Sequence, residues 1–118
     1  MDDLVVLYTI WPDADTAAAA GRAAVEAGLA ACANVLGPMR SIYRWQGVMQ
    51  DDAEIPMLLK TVRSVAPTLT TFILSRHPYT TPCVLALDIV ENISNPAFAA
   101  WTREQINSGA PFGEFVAP

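Results

Sequence analysis

The sequence predicts one domain of the α+β class, with an antiparallel sheet and helices packed against it. Three observations lead to this expectation. The chain has 118 residues, which is enough for a single core but not for two. Stretches with strand-like and helix-like patterns follow one another along it. Small residues line the first helical stretch, so that helix can lie close to a sheet.

The first strand is predicted at residues 4–10, an apolar and β-branched run that stops before Pro12. Asp13 is a suitable N-cap for a helix that continues to about Ala27, and Gly28 is suited to end it. Its inward stripe consists of Ala17, Ala20, Gly21, Ala24, Val25 and Gly28.

A long hairpin is predicted next. The periodicity of residues 29–36 fits a helix or a strand equally well. Their place between a helix stop and Gly37-Pro38 favours a strand. Residues 39–45 continue it, Gln46-Gly47 reverses the chain, and residues 48–62 return. Because proline cannot donate to a ladder, Pro56 implies an edge position or a bulge.

A second helix is expected to open near Ser64, with Pro67 in its first turn, and to end before His77-Pro78. A last strand is predicted at residues 83–90. Asn95-Pro96 starts a C-terminal helix that Gly109 stops, and residues 110–118 form a tail. The order is βαββαβ plus one helix, the ferredoxin-like pattern, in one domain over residues 1–118.

In this arrangement the helices cover one face of the sheet, and the other face needs a different cover. The composition agrees: only 16% of residues are charged and 53% are hydrophobic, with a mean hydropathy of +0.30. A small domain cannot bury so much apolar surface by itself. The sequence therefore predicts self-association.

The charge distribution excludes some partners. The net charge is −5, with one lysine and scattered arginines, so no basic stripe can follow a nucleic acid backbone. The acidic start and the lack of a membrane-length apolar run predict neither a secretion signal nor a membrane span. Cysteines 32 and 83 form no CxxC pair. Reduced thiols and a cytoplasmic location are expected.

Five short motifs, in this order and spacing, resemble the CutA-like divalent-cation tolerance family over most of the chain. The motifs are Tyr8-Thr9 with Pro12-Asp13, Gly28 to Asn34, Ser41 to Gly47, Leu58 to Thr61 and His77 to Pro82. The resemblance implies a ferredoxin-like fold, a homotrimer formed through strand pairing between subunits, and a role in tolerance to copper and other divalent ions. It also implies a likeness to PII-type proteins, which bind small effectors between subunits.

The chain departs from the family's copper-binding pattern. That pattern has a cysteine near Tyr8 and two histidines before Pro78, where this sequence has Arg76 and His77. A metal role therefore rests on fewer residues here. Copper or another divalent cation is expected to bind weakly, and no cofactor is firmly predicted.

Candidate metal ligands are His77, Cys83 and Cys32, because imidazole and thiolate suit copper and zinc. The alternative is a helix-terminal histidine that bonds to the backbone and two buried, inert thiols. Asp51, Asp52 and Glu54 are interpreted as a solvated, charged strand edge.

A second set of candidates could line a cleft between subunits, with Lys60 holding an anion. This set is Tyr43, Trp45, Lys60, His77 and Tyr79. The alternative is ordinary interface packing of the aromatic side chains.

The expected function is that of a trimeric protein that binds a small ligand or a divalent metal ion, and not that of an enzyme. No Ser/His/Asp order, paired-carboxylate pattern or Gly-rich phosphate loop occurs. Two alternatives remain open: a cleft enzyme that uses His77 and Tyr79 as acid and base, and a purely structural trimeric scaffold.

Overall fold

The computed structural model describes residues 2–107, which form an α+β fold around one antiparallel sheet. Its strand order is β2-β4-β1-β5, and β3 also pairs with β4. The elements are β1 (Leu4–Trp11), α1 (Ala14–Glu26), β2 (Cys32–Val35), β3 (Met39–Trp45), β4 (Val48–Val62), α2 (Ala66–Arg76), β5 (Val84–Asp88), a 3-10 turn (Glu91–Ile93) and α3 (Pro96–Asn107). The predicted order is confirmed. Gly109 and residues 110–118 lie outside the described residues.

The predicted turns and caps are formed by the expected residues. Asp13 accepts a hydrogen bond from the Thr16 N–H at 2.7 Å, which satisfies a free donor in the first turn of α1. Gly28 has φ +72° just beyond that helix, and Gln46 and Gly47 have φ of 49° and 81° between β3 and β4. Such angles favour glycine, so these positions fix where α1 and β3 end.

Two strands are shorter than predicted. Residues 29–31 do not belong to β2, because the N–H groups of Leu29 and Ala30 donate to Ala24 O and close the end of α1. At the other end of the chain, β5 stops at Asp88 and the 3-10 turn follows, which the sequence pattern did not indicate.

The hydrophobic core lies between the two helices α1 and α2 and one face of the sheet. Leu7, Trp11, Met57 and Leu59 are fully buried there. The small stripe of α1 permits a close approach: a Cβ added to Gly21 would lie 2.8 Å from Met57 Sδ. Because this stripe lets α1 lie close to the sheet, the helix layer and the sheet layer form a thin domain.

The opposite face of the same strands is incompletely covered. We call Val6, Tyr8, Leu58, Leu85 and Leu87 the open face; they share one side because they pair across β4, β1 and β5. Leu85 and Leu87 are 57% and 47% exposed. Apolar surface of this kind, continuous along neighbouring strands, marks an interaction surface.

Helix α3 crosses one end of this second face, which corrects the expectation that all helices lie on the other. The Lys60 ammonium stands 5.2 Å from the Phe98 ring centre, and Lys60 pairs with Val6. Arg103 bonds to Glu91, and Glu91 accepts from the Leu4 N–H at 2.8 Å. These polar contacts attach α3 to the start of β1.

Pro56 does not lie at a sheet edge, so the edge alternative is wrong, but the ladder is interrupted on one side of it, as the bulge alternative expected. It stands opposite Ile10 in the β1–β4 ladder. Its carbonyl accepts from the Leu36 N–H at 2.9 Å, and its nitrogen faces the same side. There β2 has ended at Val35 and β3 has not begun, so the missing N–H leaves no partner unsatisfied.

No helix among residues 2–107 is long and apolar enough to cross a membrane.

Candidate functional site

The most distinctive polar constellation lies where the hairpin of β3 and β4 leaves the sheet. We call Glu54, Tyr79, His77, Tyr43 and Asp52 the hairpin-base cluster. The segment after α2 supplies the histidine and one tyrosine. The hairpin strands supply the carboxylates and the other tyrosine.

His77 is held at the end of α2 because Pro78 prevents the helix from continuing. Its ring stacks on Trp11, with centroids 4.1 Å apart. The Tyr79 N–H donates to Nδ1 at 3.1 Å, so Nδ1 carries no hydrogen and Nε2–H donates to Ile10 O at 2.7 Å. Both ring nitrogens therefore bond to the backbone of this chain.

Tyr79 joins His77 to the hairpin. Its ring is tilted against the His77 ring at 4.9 Å, and its hydroxyl donates to Glu54 Oε2 at 2.9 Å. Burial, followed by the hydrogen bond to the Glu54 carboxylate, raises the pKa of Tyr79 to about 12. The phenol therefore stays protonated and serves as a donor.

Glu54 is the residue that the sequence interpretation missed. It is only 7% exposed, which corrects its assignment to a solvated strand edge. The neighbouring acids behave differently: Asp51 pairs with Arg40, and Asp52 accepts from the Tyr43 hydroxyl at 2.7 Å. The available signal was the alternation of β4, which places Glu54 on the same side as Pro56 and Leu58.

The hydroxyl of Tyr43 is the second phenol that meets a carboxylate. Its hydrogen bond to Asp52 raises the pKa of Tyr43. Asp52 and Glu54 are two positions apart on β4 and therefore face the same side. Among residues 2–107, neither carboxylate has a lysine, arginine or histidine within ion-pair distance.

Only part of the predicted cleft comes together in one chain. His77, Tyr79 and Tyr43 belong to the hairpin-base cluster. Trp45 lies at the far end of the hairpin, paired with Val48, and is 48% exposed. Lys60 lies in the other direction along β4, beside Cys32 and Phe98.

The two cysteines are separated by the sheet. Cys32 begins β2 at one edge and Cys83 precedes β5 at the other, so three strand spacings, roughly 14 Å, separate them across the sheet alone. Burial raises the pKa of both thiols, and the Glu54 charge also raises that of Cys83. Neither has the lowered pKa of a reactive thiol.

The residues of one chain do not fit a divalent metal ion. The described ranges contain no group of three or more His, Cys, Asp or Glu side chains placed to hold one, whereas selective sites need three or four ligands. His77 would also have to release a backbone bond. Within one chain, the cluster can donate and accept hydrogen bonds but offers no prepared coordination sphere.

The fold and the cluster define a class: a small α+β protein with an antiparallel sheet, one open apolar face and a projecting hairpin. Residues 5–105 match the family model described as CutA1 divalent ion tolerance protein. The chain therefore belongs to the CutA1 family, as the sequence motifs had indicated.

Characterised relatives agree with this assignment. The divalent-cation tolerance protein CutA of Thermus thermophilus is 41% identical over 85% of this chain and 94% of its own length. The mouse Protein CutA is 38% identical over 86% of this chain but 56% of its own. This chain thus spans little more than half the length of that relative.

Solved structures share the fold. CutA1 from Ehrlichia chaffeensis superposes with a TM-score of 0.83 at 28% identity, covering 90% of this chain and 97% of the other. The Thermus thermophilus protein superposes with a TM-score of 0.82 at 37% identity, covering 86% and 97%.

Proposed function

We propose that the chain acts as a self-assembling, non-enzymatic binding protein in divalent-cation tolerance, working in the cytoplasm as a homotrimer of ferredoxin-like subunits with PII-like clefts. The observation that carries this proposal is the open face. Leu85 and Leu87 remain 57% and 47% exposed although they continue a sheet whose other side holds the hydrophobic core. Copies of the same chain are the cover that the family membership favours.

Binding is favoured over catalysis by the state of the candidate acid and base. A general base needs a free nitrogen or oxygen within reach of a substrate. Both nitrogens of His77 bond to the backbone, and the raised pKa of Tyr79 keeps its proton in place near neutral pH. The same contacts give the cluster a fixed shape, which suits recognition.

Assembly can be tested by placing a charge on the open face. Leu87→Glu should convert the protein from three times the 12.7 kDa chain mass to a monomer in sedimentation at low micromolar concentration. Leu74→Glu is the matched control, because Leu74 is 46% exposed but lies on α2, on the other side of the sheet. A wild-type protein that sediments at the single-chain mass would refute the trimer.

Tight metal binding would depend on assembly, whereas weak binding by surface carboxylates would not. Because one chain lacks a coordination sphere, a divalent ion would need ligands from several copies, with His77, Cys83 and Cys32 as the predicted candidates. Copper and zinc should be titrated calorimetrically into wild type, His77→Ala and Leu87→Glu. We expect weak binding that His77→Ala leaves unchanged. Stoichiometric, submicromolar binding that survives in the dissociated variant would contradict the need for several copies.

A further inference from the structure

The end of the sheet that α3 crosses carries a positive charge that has no carboxylate partner in the described part of the chain. Lys60 is the only lysine of the chain. Its ammonium lies over the Phe98 ring at 5.2 Å and beside the Cys32 thiol. Neither neighbour is a strong acceptor. Among residues 2–107, no carboxylate lies within ion-pair distance of Lys60.

This lack of a carboxylate partner leaves the ammonium able to bind one. Lys60 is half-buried, and an ammonium has three donors that need acceptors when it leaves water. A second donor nearby is also unmatched: the Trp101 indole nitrogen is buried without a partner in the described part of the chain. The Trp101 ring contacts the Phe98 ring, with centroids 5.3 Å apart.

The surroundings of Lys60 define the shape of a matching ligand. Phe98 is 41% exposed and offers a ring face. Asn34, on the neighbouring strand β2, is exposed and stands opposite Leu58. An ammonium beside an aromatic face and an apolar strand residue matches a small acid with an apolar body.

We propose that Lys60 and Phe98 form a binding site for a carboxylate attached to an apolar group. This deepens the proposed binding function and rests on it. The carboxylate would bond to the Lys60 ammonium, and the apolar body would pack on Phe98 and Leu58. Such a group has two possible sources: a free organic acid, or an acidic side chain of a second copy.

The single lysine permits a direct test. Protein labelled with ¹³C at the lysine Cε gives one lysine signal, which can be followed while benzoate is added, with benzamide as the uncharged control. We expect saturable movement of the signal with benzoate and none with benzamide. Phe98→Leu should weaken benzoate binding about fivefold, because it removes the aromatic ring on which the benzoate ring packs, whereas Phe72→Leu, on α2, should leave it unchanged.

A Leu87→Arg variant distinguishes the two sources, because it places a charge on the open face without adding a carboxylate in the same cross-strand row as Lys60. If benzoate moves the lysine signal in both wild type and variant, the site binds a free acid. Movement only in the variant indicates that a second copy supplies the carboxylate in the assembly. Absence of movement in both, or equal movement with benzamide, overturns the proposal. Sedimentation of the same samples shows separately whether the trimer exists, so a failed site and a failed assembly give different results.

Discussion

The two faces of strands β1 and β4 differ in how completely they are buried. On one face Leu7 and Leu59 are 0% exposed beneath α1 and α2. On the other, the open face is bordered by α3 at one end and by the hairpin at the other. Within one chain, these strands therefore contribute to a hydrophobic core on one side only. The comparison teaches that the hydrophobic core and the exposed apolar surface draw on different residues of the same strands.

The largest expected effect is a difference in stability loss between substitutions at two neighbouring residues of β4, Leu59 and Leu58. Leu59→Ala should lower the free energy of unfolding by about 2–5 kcal/mol, because it leaves a cavity in the core. Leu58→Ala, one residue away on the open face, should cost about 1 kcal/mol, since Leu58 is already partly exposed. Urea unfolding in the Leu87→Glu background removes contributions from subunit contacts. Equal losses would show that the two faces do not differ as described.

A smaller effect tests how closely the packed face is filled. Gly21→Ala adds a Cβ only 2.8 Å from Met57 Sδ and 2.9 Å from Ala33 Cβ. Overpacking should cost about 1–3 kcal/mol, more than the gain of up to about 1 kcal/mol in helix propensity. Thermal unfolding should therefore occur at lower temperature. A stabilised variant would mean that α1 can move away from the sheet without loss.

The smallest effect concerns the hairpin-base cluster. Tyr79→Phe leaves the buried Glu54 without its tyrosine donor and should cost about 1–2 kcal/mol in urea unfolding at neutral pH. Tyr43→Phe should cost less than about 0.5 kcal/mol, because its partner Asp52 is less buried than Glu54.

The same substitution predicts a pH dependence. The folded-state pKa of Tyr79, about 12, lies above its value of ~10 in the unfolded chain. Its stabilising contribution is therefore complete below pH ~10 and is lost as the pH rises through the folded value. Stability should fall less steeply above pH ~10 in Tyr79→Phe than in wild type. Parallel curves for the two proteins would contradict this assignment.

Local signals allowed most of the fold to be predicted. Asp13, Gly28 and Gln46-Gly47 each determine backbone geometry within a few residues, and the structure has the expected element at each. Pro56 was harder to place. Proline is tolerated there because β2 ends and β3 begins on either side of the position opposite Pro56. That gap can be recognised only when the registers of both strands on β4 are known.

The site was less predictable because its contacts join distant segments. Glu54 and Tyr79 are 25 positions apart, and His77 and Ile10 are 67 apart. The sequence identified Tyr79 and His77 as candidates, but its one sign that Glu54 is buried was the alternation of β4. It also grouped Lys60 with Trp45, although Trp45 at the end of β3 and Lys60 on β4 lie in opposite directions from the cluster.

The unbroken length of β4 has a consequence for the order of folding. The strand has 15 residues, about 50 Å when extended. One part pairs with β3 across a short turn, and such hairpins form within about 1–10 μs. Pairing with β1 must instead close a loop of more than 40 residues, from Trp11 to Ile55. We therefore expect the tight turn at Gln46-Gly47 to set the alignment early. An error of one residue there would turn Leu59 outward and Lys60 into the core.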